Sequence, residues 1–233
     1  MTELIDKPIY STGDIAYILK TKTAFVRNTL HNLESWSENE IPVETINDRK
    51  VASYRQCVFV DILLFLRSKE LHWSKARTVI LQLQKDNGFF INRKWHLATD
   101  GVDVFAKHED FPQSDTLASV HTSQLTMRKV IEPLIEWRIF ETLIERREFS
   151  EKSEIAEWKP DPDFPDIRVH PAIGFGKPHL EGRMIKSETL FDMYEDENDL
   201  DRLAWEFELE KDQVSEAIRF EQSRRNSEDE MVH

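Results

Sequence analysis

The chain has 233 residues and a formal net charge of −13, from 31 Lys and Arg against 44 Asp and Glu. Hydrophobic residues make up 39%, enough for a core, which excludes a wholly disordered chain; the length allows one large domain or two to three small ones. The lone cysteine, Cys57, excludes an internal disulfide framework and a multi-cysteine zinc site, and the longest apolar run, residues 57–66, is broken by Asp61 and falls short of the ~20 residues a membrane helix needs.

The N-terminus, Met1 to Asp6, lacks the basic and apolar regions of a secretion signal, so the expected compartment is the cytoplasm. Charge is unevenly spread. Residues 1–70 carry 9 basic and 10 acidic side chains, residues 71–158 carry 12 and 14, and residues 159–233 carry 10 and 20. The overall acidity argues against general nucleic-acid affinity. The first third differs locally. From Ile15 to Leu33 there is no acid, but there are Lys20, Lys22, Arg27 and His31. From Arg49 to Val60 there is again none, beside Arg49, Lys50 and Arg55.

Taken in chain order, Ser11 stands where it can cap a short helix carrying Ile15, Ile18 and Leu19. A second helix starts at Thr23 with Phe25, Val26, Leu30 and Leu33 on its apolar side. The tight connection Leu19-Lys20-Thr21-Lys22 makes the pair a helix-turn-helix. Residues 41–46 and 51–54 read as two strands about an Asn47-Asp48 turn, and Val58 to Arg67 as a helix. Helix, helix, hairpin, helix is the order of a winged helix-turn-helix, with Arg49 and Lys50 near the tip of the wing.

These residues resemble the MerR-type DNA-binding domain from Ile9 to about Leu83. The resemblance runs through Tyr10-Ser11-Thr12-Gly13-Asp14-Ile15-Ala16, and through Thr23-Ala24-Phe25-Val26-Arg27 at the recognition helix. It resumes at Val51-Ala52-Ser53-Tyr54-Arg55 and Leu71-His72-Trp73-Ser74-Lys75-Ala76-Arg77. It implies a second helix lying in the major groove, where Thr23, Arg27 and Asn28 reach base edges, Arg to guanine and Asn to adenine. Lys20, Lys22, Arg49, Lys50 and Arg55 would meet phosphates, and His31 lies on the same acid-free stretch. About five phosphate contacts predict a log–log salt slope of about −4 to −5. The metal-sensing cysteines of metalloregulatory members are absent, and Asn28-Thr29-Leu30 stand where the family has aromatics and an acid.

In the middle, Ser74 to Gln84 reads as a helix with Trp73, Ala76, Val79, Ile80 and Leu83 on its apolar side. Phe89 to Leu97 and Val102 to Phe105 read as strands about Asp100-Gly101, with Trp95 and His96 as cross-strand packing. Ser123 to Arg147 reads as a long helix, apolar over much of its circumference and kinked at Pro133. Such a helix needs cover, from this chain's own core or from a second copy; the MerR-type resemblance implies dimerisation through a helix beyond the DNA-binding unit, so a homodimer is expected. Its alternating glutamates and arginines, Glu136 and Arg138 among them, read as a solvated, ion-paired face.

Trp158 to Asp166 holds three prolines and reads as an extended linker. Beyond it come a short strand at Ile167, turns at Gly174, Gly176 and Gly182, and a second short strand. Three helices follow: one from Ser187, as its cap, through Tyr194, one capped by Asp199, and one from Glu210 to Gln222. Residues 167–221 resemble a small antitoxin-associated family, domain of unknown function 433. The likeness is carried by Pro171 to Gly176-Lys177-Pro178, by Gly182-Arg183-Met184-Ile185 and by Val214-Ser215-Glu216-Ala217-Ile218. The two resemblances together point to the large VapB-type antitoxins. These bind a PIN-like ribonuclease toxin and repress their own operon by binding operator DNA. Phe175, Lys177, Arg183 and Met184 are then candidate toxin contacts, while Phe191 and Trp205 are expected in the core. The acidic last third suits a basic, RNA-binding partner surface.

Nothing points to an enzyme. HExxH, GxSxG, phosphate-loop and EF-hand patterns are absent from the sequence. Cys57, beside Val58-Phe59-Val60, reads as inert packing, and His170 and His179 as loop histidines bonded to backbone. No catalytic residue, metal or cofactor is expected. The expected fold is mainly α with small β-hairpins (α+β). Its expected parts are a winged helix-turn-helix at 1–72, a dimerising central region at 73–157, a linker at 158–166, an antitoxin domain at 167–222 and a polar tail at 223–233. The expected function is that of a type II antitoxin and autorepressor. The rival is a one-component MerR-type regulator responding to a small molecule.

Overall fold

The computed structural model describes the backbone of residues 2–36, 43–46, 49–85, 95–99, 104–108, 116–119, 125–127, 136–140, 142–143 and 157–231. Side chains are described over residues 4–36, 43–46, 49–81 and 157–226. Helices joined to short antiparallel strands give the α+β class that the sequence predicts. The chain forms two compact units that do not follow sequence order. One gathers residues 2–30, 43–57 and 159–233, the other residues 31–42 and 58–158.

In the first unit, α1 (Thr2–Asp6) leads into β1 (Pro8–Ser11), which pairs antiparallel with β3 (Arg49–Ser53); β2 (Glu44–Ile46) takes the other side of β3. Tyr10 stands opposite Ala52, and Thr45 opposite Lys50. The sequence reading lacked β1; a proline at its first residue is tolerated because the strand lies at a sheet edge. Ser11 then caps α2 (Thr12–Ile18) as expected. Its hydroxyl accepts from the Asp14 amide at 3.1 Å, and the Asp14 carboxylate accepts from the Ser11 amide at 2.9 Å, a reciprocal capping box. The helix closes in a Schellman turn: Lys20 N–H donates to Tyr17 O at 3.1 Å and Thr21 N–H to Ala16 O at 2.9 Å. Lys20 holds the left-handed position, φ 49°, that glycine favours. The second helix, α3 (Thr23–Trp36), starts where the sequence places it.

The C-terminal part of this unit pairs β11 (Ile167–Arg168) with β12 (His179–Leu180) around a 3₁₀ turn at Gly174–Gly176. Three helices follow, α6 (Ser187–Glu197), α7 (Leu200–Glu206) and α8 (Lys211–Met231). Their apolar faces close on a core that includes Leu180, Leu190, Phe191, Leu203, Val214 and Phe220. Asp199 caps α7 through the Arg202 amide at 3.0 Å. Ser187 is not a cap. Lys186 holds that position, and Ser187 is buried, its hydroxyl donating to the Glu221 carboxylate. The proline-rich stretch is bound rather than free. Asp161 pairs with buried Arg224 at 2.8 Å, and Phe164 meets Phe220 edge-on with ring centroids 5.4 Å apart.

Polar contacts join these sequence-distant segments. The Tyr17 hydroxyl donates to Glu221, Arg224 Nη2 donates to Ile18 O at 3.3 Å, and the Tyr54 hydroxyl donates to Val169 O at 3.4 Å. Gly176, at φ 78°, lies against Tyr10 so closely that a Cβ there would stand 2.5 Å from the Tyr10 hydroxyl oxygen.

The second unit holds most of α4 (Tyr54–Ser68), α5 (Trp73–Lys85) and the remaining strands. Asp61, the acid inside the apolar run, is buried and accepts from Trp158 Nε1 at 3.0 Å. This hydrogen bond accounts for a carboxylate in so apolar a helix. A second Schellman turn ends α4. Glu70, at φ 60°, donates to Arg67 O at 3.0 Å, and Leu71 N–H donates to Leu66 O at 3.1 Å. Trp73 meets Trp36 edge-on at 5.9 Å and lies 5.1 Å from the Arg67 guanidinium.

The central hairpin forms, with β4 (Trp95–Thr99) antiparallel to β5 (Val104–His108). With β6 (Thr116–Ser119), β7 (Leu125–Met127) and β8 (Glu136–Phe140) it makes a sheet of order β7-β6-β5-β4-β8, while β9 (Thr142–Leu143) pairs with β10 (Glu157–Trp158). The long helix expected from Ser123 to Arg147 is therefore corrected: its described residues are strands. Glu136-Trp137-Arg138-Ile139-Phe140 alternates charged and bulky residues with the period of two that a strand carries, and β4 supplies a ladder partner, Ala98 opposite Trp137. Of the apolar residues that suggested a covered helix, Leu125, Trp137, Ile139, Phe140 and Leu143 belong instead to strands. Pro133 lies outside the described residues.

Candidate functional site

Two surfaces of the first unit carry most of the predicted site residues. On α3, Val26, Thr29 and Leu30 are buried, which turns the opposite side of the helix to solvent. Thr23, Arg27 and Asn28 are exposed there, Lys20 and Lys22 are exposed in the turn before it, and the first turn of α3 holds no acid. Among the described residues none of these five side chains is committed to an intramolecular partner. His31 is exposed further along the same helix. On the β2–β3 hairpin Arg49 is exposed and stands opposite Ile46, while Lys50 is half-buried.

Arg55 is a correction. It was expected at a phosphate, but it is buried, with Nε donating to Asp6 Oδ1 at 2.6 Å and Nη2 to Oδ2 at 3.1 Å. A bidentate pair of this kind satisfies the fixed fork of the guanidinium and ties α1 to the start of α4.

The second surface surrounds the glycine turn. Phe175 is 90% exposed and held at φ 59°; Met184 is 73% exposed. Lys186 Nζ stands 5.8 Å from the Phe175 ring centroid, and Arg183 Nη2 donates to Glu208 O at 3.0 Å. Lys177 is used inside the fold: its ammonium meets Asp14 at 2.9 Å. Burial works against the Asp14 carboxylate, but hydrogen bonds from Ser11 and Lys177 outweigh it and hold the pKa below its ordinary value. Trp205, expected in the core, is 83% exposed. The reason is visible in the sequence. Leu200, Leu203, Ala204 and Phe207 follow the i, i+3, i+4, i+7 stripe of a helix face, and Trp205 falls beside it.

Inside the same unit the carboxyl of Glu221 is buried. Burial raises its pKa above the ordinary value, and the hydroxyls of Ser187 and Tyr17 offset that only in part. The two loop histidines bond to backbone as expected: His170 Nδ1 accepts from the Ala172 amide at 3.1 Å, and His179 Nδ1 lies 3.3 Å from Lys177 O. Cys57 is fully buried. Among the described residues no cluster of three or more His, Cys, Asp or Glu is placed to hold a metal, and no helix is long and apolar enough to cross a membrane.

Residues 167–220 match the model of a protein family of unknown function, DUF433. That stretch contains the glycine turn, both exposed residues Phe175 and Met184, and α6 and α7 entire. No curated protein matches the chain. Among solved structures, the chain is similar in fold to the crystal structure of Rv2018 from Mycobacterium tuberculosis, with a TM-score of 0.51 and 13% identity over 91% of this chain and 97% of that one. At that identity the likeness is one of fold alone.

Proposed function

We propose that this chain is an antitoxin that reads DNA through α3 and inhibits a PIN-like ribonuclease through its C-terminal helices, so repressing the operon that encodes both. The observation that carries the reading is the start of α3. Five basic or polar side chains, Lys20, Lys22, Thr23, Arg27 and Asn28, are exposed at or before a first helical turn that holds no acid, with no internal partner among the described residues, in a protein of net charge −13. A cationic helix start of this kind is suited to phosphates and base edges, and Arg49 on the hairpin is a further exposed cation of the same unit. The exposed aromatic and sulfur side chains of the DUF433-matching segment supply the protein-binding half of the reading.

The test is functional. A PIN-like ribonuclease from the same genome, the neighbouring gene first, is expressed in a bacterial host with and without this chain. Growth arrest relieved by the chain, together with a stoichiometric complex on gel filtration, is the expected result. A chain that shifts DNA but neither binds nor silences the nuclease is instead a one-component regulator.

A further inference from the structure

We propose that Trp205, with Met184 and Phe175, forms the anchor of a docking surface for a basic protein partner, and that the acids flanking Trp205 steer that partner in. The inference rests on the antitoxin reading for the partner's identity, and it names a contact surface on this chain.

Three large apolar side chains are exposed on neighbouring elements of one domain. Trp205 lies on α7, Met184 on the turn after β12, and Phe175 in the 3₁₀ turn. The hydrogen bond from Arg183 to Glu208 O binds the Met184 turn to the end of α7, and Lys186, two residues past Met184, reaches the Phe175 ring. Exposed groups of this size are costly in water and are characteristic of partner-binding surfaces; Trp is the most frequent anchor residue. No internal packing requires Trp205 where it stands, since α7 already buries Leu203 and Ala204.

The charge around the anchor selects the partner. Residues 192–212 carry 10 acidic and 2 basic side chains. Both bases are already paired, Lys211 with Asp201 and Arg202 with Glu197 at 3.3 Å. Glu206, Glu208 and Glu210, next to Trp205, are exposed. Of the cations near Met184 and Phe175, Lys177 is ion-paired with Asp14, while Arg183, on the Glu208 carbonyl, and Lys186, over the Phe175 ring, keep their charge, so the acidic excess lies on the α7 side of the anchor. An apolar anchor with an anionic rim fits a partner whose apolar pocket is ringed by Lys and Arg, the chemistry of an RNA-binding nuclease surface. It does not fit nucleic acid or an anionic lipid surface, which the rim would repel.

The probe is the purified ribonuclease that suppresses growth in the test above, and the readout is biolayer interferometry against the full chain. Trp205→Ala is expected to weaken binding by about 30-fold or more, mainly through faster dissociation. The triple change Glu206→Lys, Glu208→Lys, Glu210→Lys is expected to slow association and to flatten its dependence on salt. Thermal melts should match the wild type, because all four side chains are exposed. Lys22→Ala, on the DNA surface, should bind the nuclease normally. A wild-type chain that fails to bind overturns the antitoxin reading and this surface with it. Normal nuclease binding by Trp205→Ala overturns the surface alone. Sedimentation showing that the patch is covered by a second copy, with dimer lost in Trp205→Ala and nuclease affinity unchanged, also overturns it.

Discussion

Gly176→Ala is the substitution whose cost the structure specifies most fully. Gly176 sits at φ 78°, and a Cβ built on it would lie 2.5 Å from the Tyr10 hydroxyl oxygen, 2.7 Å from Cζ and 3.0 Å from Cε1. The left-handed backbone alone costs an L-residue about 1–2 kcal/mol. Overpacking against a buried ring adds about 1–3 kcal/mol, for a total of about 2–5 kcal/mol. The two contributions separate in a double-mutant cycle. Tyr10→Leu removes all three clashing atoms, so in that background Gly176→Ala should cost only the backbone share, about 1–2 kcal/mol. Urea unfolding followed by far-ultraviolet circular dichroism gives the four free energies. A Gly176→Ala cost that is the same in both backgrounds would refute the claim that the glycine turn is seated against the N-terminal strand.

Four further expectations can be checked on the same footing. Glu221 has a raised pKa in the folded chain, so its contribution to stability is present at low pH and lost as pH rises from the ordinary value of 4.5 through the folded one. Glu221→Gln should remove that decline; an unchanged pH slope in urea melts between pH 5 and 8 would contradict it. Arg224→Ala, which strands Asp161 and vacates the cation site 3.6 Å from the Phe220 ring, should cost about 3–5 kcal/mol, against less than about 1 for each of the two exposed pairs, with Asp192 and Glu195, removed by Arg225→Ala. Glu70 and Glu208 hold left-handed helix-end positions, so Glu70→Gly and Glu208→Gly should each stabilise by about 0.5–1 kcal/mol; destabilisation by either would show that its side chain matters more than its φ. Arg55→Ala should lower stability through the loss of Asp6 while leaving the salt dependence of DNA binding unchanged.

Where a signal is local, the sequence discloses it. Ser11 and Asp14 are three residues apart, and their capping box depends on nothing further away. The same holds for the Thr23 helix start, the Asp199 cap and the pairing of β4 with β5. What is not legible is which polar side chains the tertiary fold consumes. Arg55 looks like any surface cation until Asp6, 49 residues away, is brought to it. Glu221 lies in a stretch rich in charge, and its partner Tyr17 is 204 residues distant. Residues 136–140 fail for another reason. Five residues that satisfy both an apolar helix and an alternating strand are decided by the ladder with β4, a pairing across some forty residues. Trp205 is the one misplacement the sequence could have prevented, because it stands off the stripe of Leu200, Leu203, Ala204 and Phe207.

The central claim is that α3 meets DNA, and its most direct measurement is fluorescence anisotropy with the DNA upstream of the chain's own gene, titrated over salt. With Arg55 consumed by Asp6 and Lys50 half-buried, the proposed phosphate set is Lys20, Lys22 and Arg49, so the log–log slope should be about −3 per protomer. Lys20→Ala with Lys22→Ala should make it shallower by about 2, and Arg27→Ala should relax sequence preference at a cost of about 1–3 kcal/mol. Affinity and slope left unchanged by all three substitutions would contradict the account.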